Sequence, residues 1–460
     1  MPTDESAVPA PGMLRPRPGV SATLAVNEAI ERKRRAGVQV LPLGFGEAGL
    51  PVHPALEREL AAAAGRNAYG PVAGASGLRS AAAGYWGRRR LETDPDLVVC
   101  GPGSKPLLFA LLLAIGGDVA MPRPSWVSYA AQARLTGAEP VFVPTLPGEG
   151  GVPDPELLAA AVIRARSRGR DLRAVVITLP DNPTGTVARP ETVQRLCAVA
   201  REHDLVIVSD EIYRDLVHDP ATAVVSPAEF APERTVVTTA LSKSLALGGW
   251  RIGVARLPDG PLGRVLRADL LAVASEIWSS PSGPIQQAAA YAFAEPPELV
   301  KQVARSRRLH ATVARAVADR FRAAGAATPD PQAAFYVYPD FEPLRAQLHR
   351  GHQVRTGADL GELLLERYGV GVLPGSSFGE PGAALRLRVA TSLLYGERNE
   401  ERQAALTAAD PLALPWIAAA LARISDVLTD LTAVPAPVPV SAHRRIPRPV
   451  LAAPQVATAG

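Results

Sequence analysis

Cysteine is nearly absent: 460 residues carry two, Cys100 and Cys197. Both sit in apolar or helical surroundings without metal-ligand spacing. This excludes a disulfide framework and a cysteine metal site, and predicts buried free thiols in a reducing compartment. Long hydrophobic runs are also missing. The longest, such as LLFALLLAIGG at 107–117, falls short of a membrane span. The N-terminal MPTDESAVPAPGMLRPRPG has early acids, several prolines and no apolar h-region, so it does not read as a secretory signal and a cytoplasmic protein is expected. An excess of one charge is lacking too: 49 basic against 45 acidic residues leave +4, and aromatics make up 5%. With arginine spread along the chain, no concentrated basic face interleaved with aromatics is available for nucleic acid.

What is present is ordinary globular material, 47% hydrophobic and 20% charged. The length predicts two domains. Residues 1–20 and 433–460 are rich in Pro and Ala with little periodicity, and read as flexible tails. Between them, short apolar runs (LVVC, DVAMP, PVFVP, AVVITLP, LVIVSD, TVVTTAL) alternate with helical Ala/Arg/Leu stretches. That alternation predicts an α/β domain over 51–290 with a mostly parallel sheet. From Pro297 the pattern shifts to long helices, then the strand-like AFYVYP and LRLRVATS, then a final helix over about 415–431. A smaller α+β domain is expected over 291–432, joined by an arm from 21–50.

Two familiar motifs are coincidental in context. GFGEAG (Gly44 to Gly49) matches a dinucleotide loop, but Pro51 and Pro54 spoil the helix that must open there. GSSFG (Gly375 to Gly379) matches a nucleophile elbow, but Pro381 and Gly382 follow where a helix is needed.

A third constellation is different in kind. LPDNPTG (Leu179 to Gly185), VIVSDEIYRDL (Val206 to Leu216) and ALSKSLALGGWRIG (Ala240 to Gly253) each begin where an apolar strand ends. All three should therefore meet at the carboxyl edge of one sheet, where α/β proteins bind ligands. Basic residues are nearly all arginine, which makes Lys243 conspicuous at such an edge. A lysine leaving a buried strand is desolvated, its pKa falls and its amine becomes available for a Schiff base. Arg251 offers a planar fork for a phosphate. Asp210 suits a protonated ring nitrogen, while Tyr213 and Asn182 suit neighbouring oxygens. Singly, SK is a surface pair, DEIY a strand end and NPTG a turn. Their shared context and order carry the argument.

At these residues the chain resembles the fold type I pyridoxal phosphate enzymes, specifically the class I/II aminotransferase family, from about Ser21 to Leu431. The resemblance implies a three-layer αβα large domain with a smaller α+β domain, pyridoxal 5'-phosphate as cofactor, and amino-acid and 2-oxo-acid substrates. It implies that Lys243 of SKxxxxxGWRxG forms the Schiff base, that Asp210 and Tyr213 contact the pyridine nitrogen and 3-oxygen, and that Asn182 contacts that oxygen and the substrate carboxylate. By the same resemblance, backbone amides of Gly103, Ser104 and Lys105 face the phosphate together with Arg251, and Trp126 stacks on the ring. Tyr69 of NAYGPVAGASGLR reaches the phosphate of a neighbouring subunit, which implies a homodimer with shared sites. Arg386 in LRLRVATS takes the substrate carboxylate, with Arg388 as nearest competitor on the same strand face, and the amide of Gly46 lies near that carboxylate.

Three departures from the family pattern stand out. Ala240 replaces a phosphate-binding serine, leaving Thr239, Ser242 or Ser244 to substitute. Asp181 stands where Asn is frequent and is expected to be a solvated loop residue, the alternative being an extra carboxylate near the site that favours a cationic substrate. The segment 393–416 resembles an insertion with no assignable role. No second arginine is placed for an acidic side chain, so an aspartate preference is not expected from the sequence. Transamination is the expected outcome; elimination, decarboxylation, cyclisation or oxidation of an unusual amino acid are the alternatives. A non-catalytic binding module on the same fold is disfavoured by the intact Lys243, Asp210, Tyr213 and Arg386.

Overall fold

A computed structural model describes residues 19–433. The flexible tails expected at 1–20 and 433–460 lie almost wholly outside the described residues. After a short strand β1 (Leu41–Pro42), the chain builds one seven-stranded sheet from β2 (Val98–Gly101), β3 (Asp118–Arg123), β4 (Pro140–Pro144), β5 (Leu172–Thr178), β6 (Val206–Asp210), β7 (Thr235–Ala240) and β8 (Gly253–Arg256). Its order is β2-β8-β7-β6-β5-β3-β4. Strands β3 to β7 pair in parallel, and β8 runs antiparallel between β2 and β7.

The strands are apolar on both faces because both faces are covered. In β5, Val175 and Ile177 pack with Leu158 and Leu196 of one helix layer. Ala174 and Val176 pack with Leu111 and Leu266 of the other. A period-two alternation in which both sets are buried is what a three-layer αβα domain requires. Each such valine or isoleucine contributes roughly 1.5–3 kcal/mol on burial, so these faces hold the layers together. The covering helices are punctuated locally. Helix Pro155–Ser167 opens with Pro after Asp154, whose carboxylate accepts from the amides of Glu156 and Leu157.

The second domain gathers β9 (Tyr336–Val337), β10 (Val370–Gly371), β11 (Leu373–Pro374) and β12 (Leu387–Ala390). Strands β11-β12-β9 form a small antiparallel sheet, and β1 pairs with β10. Leu41, Leu43 and Leu50 share its core with Leu309, Phe321, Phe341 and Leu421. The boundary expected at 290 falls inside helix Gly283–Phe293, whose Ala289, Ala292 and Phe293 pack on the large domain. Helix Pro297–Ala323 starts against that core through Leu299 and ends in the core shared by β9 to β12 through Phe321. The segment 393–416 is structural: Leu394, Tyr395, Ala405 and Leu406 belong to the small-domain core.

Topology decides which strand ends meet. Strands β2, β3, β5, β6 and β7 all finish at one edge. Register places Ala240 opposite Gly253, so residues just before the antiparallel β8 arrive at that same edge.

Candidate active site

At this edge a cleft of about 560 Å³ is lined by Lys243, Asp210, Tyr213, Asn182, Trp126 and Arg251, with Gly46, Ser104, Lys105, Ser242, Tyr336 and Arg388. Lys243 sits on the single turn Leu241–Ser244 after β7. Its Nζ donates to the carbonyl of Gly46 and has no carboxylate partner among the described residues. Burial, with the nearby Arg388 guanidinium, lowers its pKa to about 8. The neutral amine is therefore accessible near physiological pH.

Asp210 ends β6. One carboxylate oxygen accepts from the hydroxyl of Tyr129 at 2.9 Å and the other from Thr238 at 3.4 Å. Tyr129 also bonds Thr178 at 2.8 Å. Burial pushes Asp210 up to about 6, against those hydrogen bonds. A cation beside it reverses that trend by favouring the carboxylate. Tyr213 follows on the turn after β6, with a buried phenol 2.7 Å from that of Tyr336. Asn182 presents its amide oxygen to Arg388 at 3.2 Å. Its neighbour Asp181 is 0% exposed and not a solvated loop residue. Its Oδ2 accepts from the amide and hydroxyl of Thr184, closing the NPTG turn, and burial raises its pKa to about 7. The turn packs against Gly150 and Gly151 on one side and, at Gly185, against the backbone of Ala333 and Tyr336 on the other, which is why a polar loop became interior.

The opposite end of the cleft suits an anion. Helix Ser104–Ile115 begins there with no acid in its first turn, and its leading amides lack intrahelical partners. Gly103 precedes it at φ +93°, and a Cβ there would lie 2.5 Å from the Arg251 guanidinium, so glycine permits the approach. Arg251 is held at φ +56° and braced by a 2.8 Å bond to the carbonyl of Gly248. Of the three hydroxyls expected to replace the missing serine at Ala240, Ser242 lines this cleft. Ser244 faces a separate cavity beside Tyr85, and Thr239 is buried in β7. Trp126 lines the cleft with Tyr129 edge-on at 5.2 Å. Lys105 brings its side chain as well as its amide: the ammonium lies 5.1 Å from the Trp126 ring without an ion pair among the described residues.

The expectation for Arg386 is corrected. Its side chain pairs with Asp340 at 2.9 Å and Glu380 at 2.7 Å, in a different cleft that lacks Lys243. Arg388 is the guanidinium that reaches the site. It is 1% exposed, bonds Asn182 and, at 2.6 Å, the carbonyl of Gly44, and keeps a buried Nε without a partner. The two side chains do share a strand face, but two residues of strand advance about 6.6 Å, which separates the clefts. Tyr69 is 91% exposed in the single chain and does not line this cleft.

Sequence reasoning missed Tyr129, Tyr336 and the side chain of Lys105. Tyr129 carried a signal, one helical turn after Trp126. Lys105 carried another, as one of very few lysines.

An amine, a carboxylate, a phenol, an amide, an indole face and an anion cradle, arranged around one cleft of ligand size, fit pyridoxal phosphate in chemical type at each of its functional ends. Comparison with known proteins agrees. The family model for aminotransferase class I and II matches residues 39–394. The aspartate/prephenate aminotransferase of Thermus thermophilus is 35% identical over 81% of this chain and 92% of its own. The aspartate aminotransferase of Geobacillus stearothermophilus is 34% identical over 83% and 95%. The structure of the Thermus thermophilus aspartate aminotransferase with maleate superposes with a TM-score of 0.74 at 30% identity, covering 90% of this chain and 98% of that one. The chain thus belongs to the class I and II aminotransferases, fold type I enzymes that transfer amino groups with pyridoxal phosphate.

Proposed function

We propose that this aminotransferase takes an acidic amino acid as donor and a 2-oxo acid as acceptor, with Arg388 and Asn182 on the α-carboxylate and Lys105 on the distal one. The observation that carries this reading is two cations in one cleft without ion pairs among the described residues, the buried Arg388 and the exposed Lys105 at its mouth. Two carboxylates answer two such charges. The names of the relatives point the same way: they are aspartate aminotransferases, and one solved structure holds maleate, a dicarboxylate.

Lys243, Asp210, Tyr213, Asn182 and Trp126 would hold the cofactor ring, and Ser104, Ser242, Arg251 and the amides of 103–105 its phosphate. When bound, the cofactor supplies an electron sink for the Cα–H bond of the amino acid. Lys243 Nζ, neutral in part because it is desolvated, accepts and returns the Cα proton. Asp210 anchors positive charge on the ring nitrogen, and Tyr213 offers its hydroxyl to the neighbouring oxygen. Gly46 lets the N-terminal loop approach closely, since a Cβ there would sit 2.5 Å from the Tyr336 hydroxyl. A homodimer completes the site, with the exposed Tyr69 reaching the neighbouring subunit's phosphate region. A cytoplasmic location suits a chain in which no helix of the described residues is long and apolar enough to cross a membrane.

Single-turnover spectra with a panel of amino acids, without any oxo acid, test the reading. Aspartate or glutamate should convert the cofactor to its amine form fastest, and Lys105→Ala should lower kcat/KM for those donors by roughly 10- to 100-fold while sparing neutral ones. Equal loss for all donors would remove Lys105 from side-chain recognition. Sedimentation at equilibrium tests the dimer.

A further inference from the structure

We propose that Tyr336 is a positioning residue for the reaction: its hydroxyl orders the hydrogen bond that Tyr213 offers the cofactor, and its ring supports the Arg388 guanidinium. The inference rests on the reading of Tyr213 as a cofactor contact. Tyr336 opens β9 and is 1% exposed. Its hydroxyl lies 2.7 Å from that of Tyr213, and its ring centroid 5.1 Å from the Arg388 guanidinium carbon. Its backbone closes on the NPTG turn, where a Cβ at Gly185 would meet the Tyr336 carbonyl at 2.6 Å. The phenol of Tyr213, the Arg388 guanidinium and the loop at Gly46 thus converge on its side chain and the turn on its backbone.

The chemistry follows from proton counting. A phenol carries one donor hydrogen. Tyr213 can give its own to the cofactor oxygen only if the bond between the two phenols runs from Tyr336 to Tyr213. That direction polarises Tyr213 and makes it the stronger donor. A stronger donor stabilises the anionic form of the oxygen it faces and so favours the deprotonated chromophore. The charged groups facing the pair are Arg388 from β12, Asp210 from β6 and Asp181 from the turn after β5, while Lys243 in the same cleft faces Arg251 and Glu47 of the N-terminal loop. Replacing Tyr336 by Phe leaves all of them in place.

The test uses cofactor-loaded wild type, Tyr336→Phe, Tyr336→Ala and Tyr213→Phe, each checked for cofactor content and cooperative unfolding. The pH midpoint of the cofactor absorption band is read without substrate, and kcat and KM with an amino donor. Tyr336→Phe should raise the midpoint in the same direction as Tyr213→Phe but by less. It should lower kcat about two- to tenfold with KM nearly unchanged. Tyr336→Ala should also raise KM, roughly two- to thirtyfold, because the ring beside Arg388 is gone. A wild-type midpoint in Tyr336→Phe, with a shift in Tyr213→Phe, overturns the role of Tyr336 and leaves the site reading intact. No shift in either variant overturns the Tyr213 contact and the inference with it.

Discussion

Arg386 and Arg388 stand two residues apart on one strand face and live in opposite circumstances. Arg386 is 41% exposed in its side chain and answered by two carboxylates, Asp340 and Glu380. Arg388 is buried among Tyr336, Phe378 and Asn182, with neutral partners only. A guanidinium answered by carboxylates is complete as it stands. A buried one without them has borne desolvation with no counter-charge, an arrangement that makes sense where a ligand supplies the negative group. A related contrast separates Lys243, which lies within the cleft and lacks an ion pair among the described residues, from Lys33, which pairs with Glu366.

The contrast can be broken by mutation, beginning where the largest effect is expected. Lys243→Ala should reduce transamination at least about 10⁴-fold, because the proton acceptor and the amine nucleophile leave together. Steady-state assays with cofactor in excess check it, and wild-type-like turnover would remove Lys243 from the chemistry. Arg388→Ala should cost roughly 10²- to 10⁴-fold in kcat/KM through loss of two charge-assisted hydrogen bonds to a carboxylate, and amines without a carboxylate should be indifferent to it.

A pH measurement sharpens the comparison for Asp210. Burial raises its pKa to about 6 in the cofactor-free chain. Only the carboxylate pairs with a ring cation, so cofactor affinity should be full above pH 6 and fall as pH drops through it, by up to about tenfold per unit. The difference between wild type and Asp210→Asn, followed by equilibrium dialysis, isolates this proton from that of the cofactor phosphate. Parallel curves for the two would refute the pairing. The smallest effect belongs to Arg386→Ala. Arg386 is partly exposed but its partner Glu380 is buried, so stability should fall by about 1–3 kcal/mol and kcat/KM by less than about threefold. A loss matching that of Arg388→Ala would return the carboxylate clamp to Arg386.

Much of the site was legible because its residues follow strand ends. Asn182 follows β5, Asp210 ends β6 and Lys243 follows β7; apolar runs announce those strands, and parallel topology sends their ends to one edge. Arg251 was legible for a less direct reason, since it precedes a strand that happens to run antiparallel. Three kinds of information were not legible. Which of two arginines on one face reaches the cleft depends on a separation of one pleat and on where Asp340 and Glu380 happen to stand. Whether Asp181 is wet or dry depends on the packing of Gly150 and Gly151, some thirty residues earlier, against the NPTG turn. Tyr336 sits in a strand of only two residues, and nothing in AFYVYP separates a core tyrosine from one that touches Tyr213.

The sequence by itself determined the layered α/β architecture, the sheet edge and the identities of the lysine, aspartate, tyrosine and asparagine gathered there. Alternation and strand-end position are local patterns, and local patterns survive in one dimension. Tertiary structure alone decided which charges are answered and which are left for a ligand. Pairing is a property of distance between segments more than a hundred residues apart, such as Gly46 with Lys243 or Tyr213 with Tyr336, and no local pattern records it.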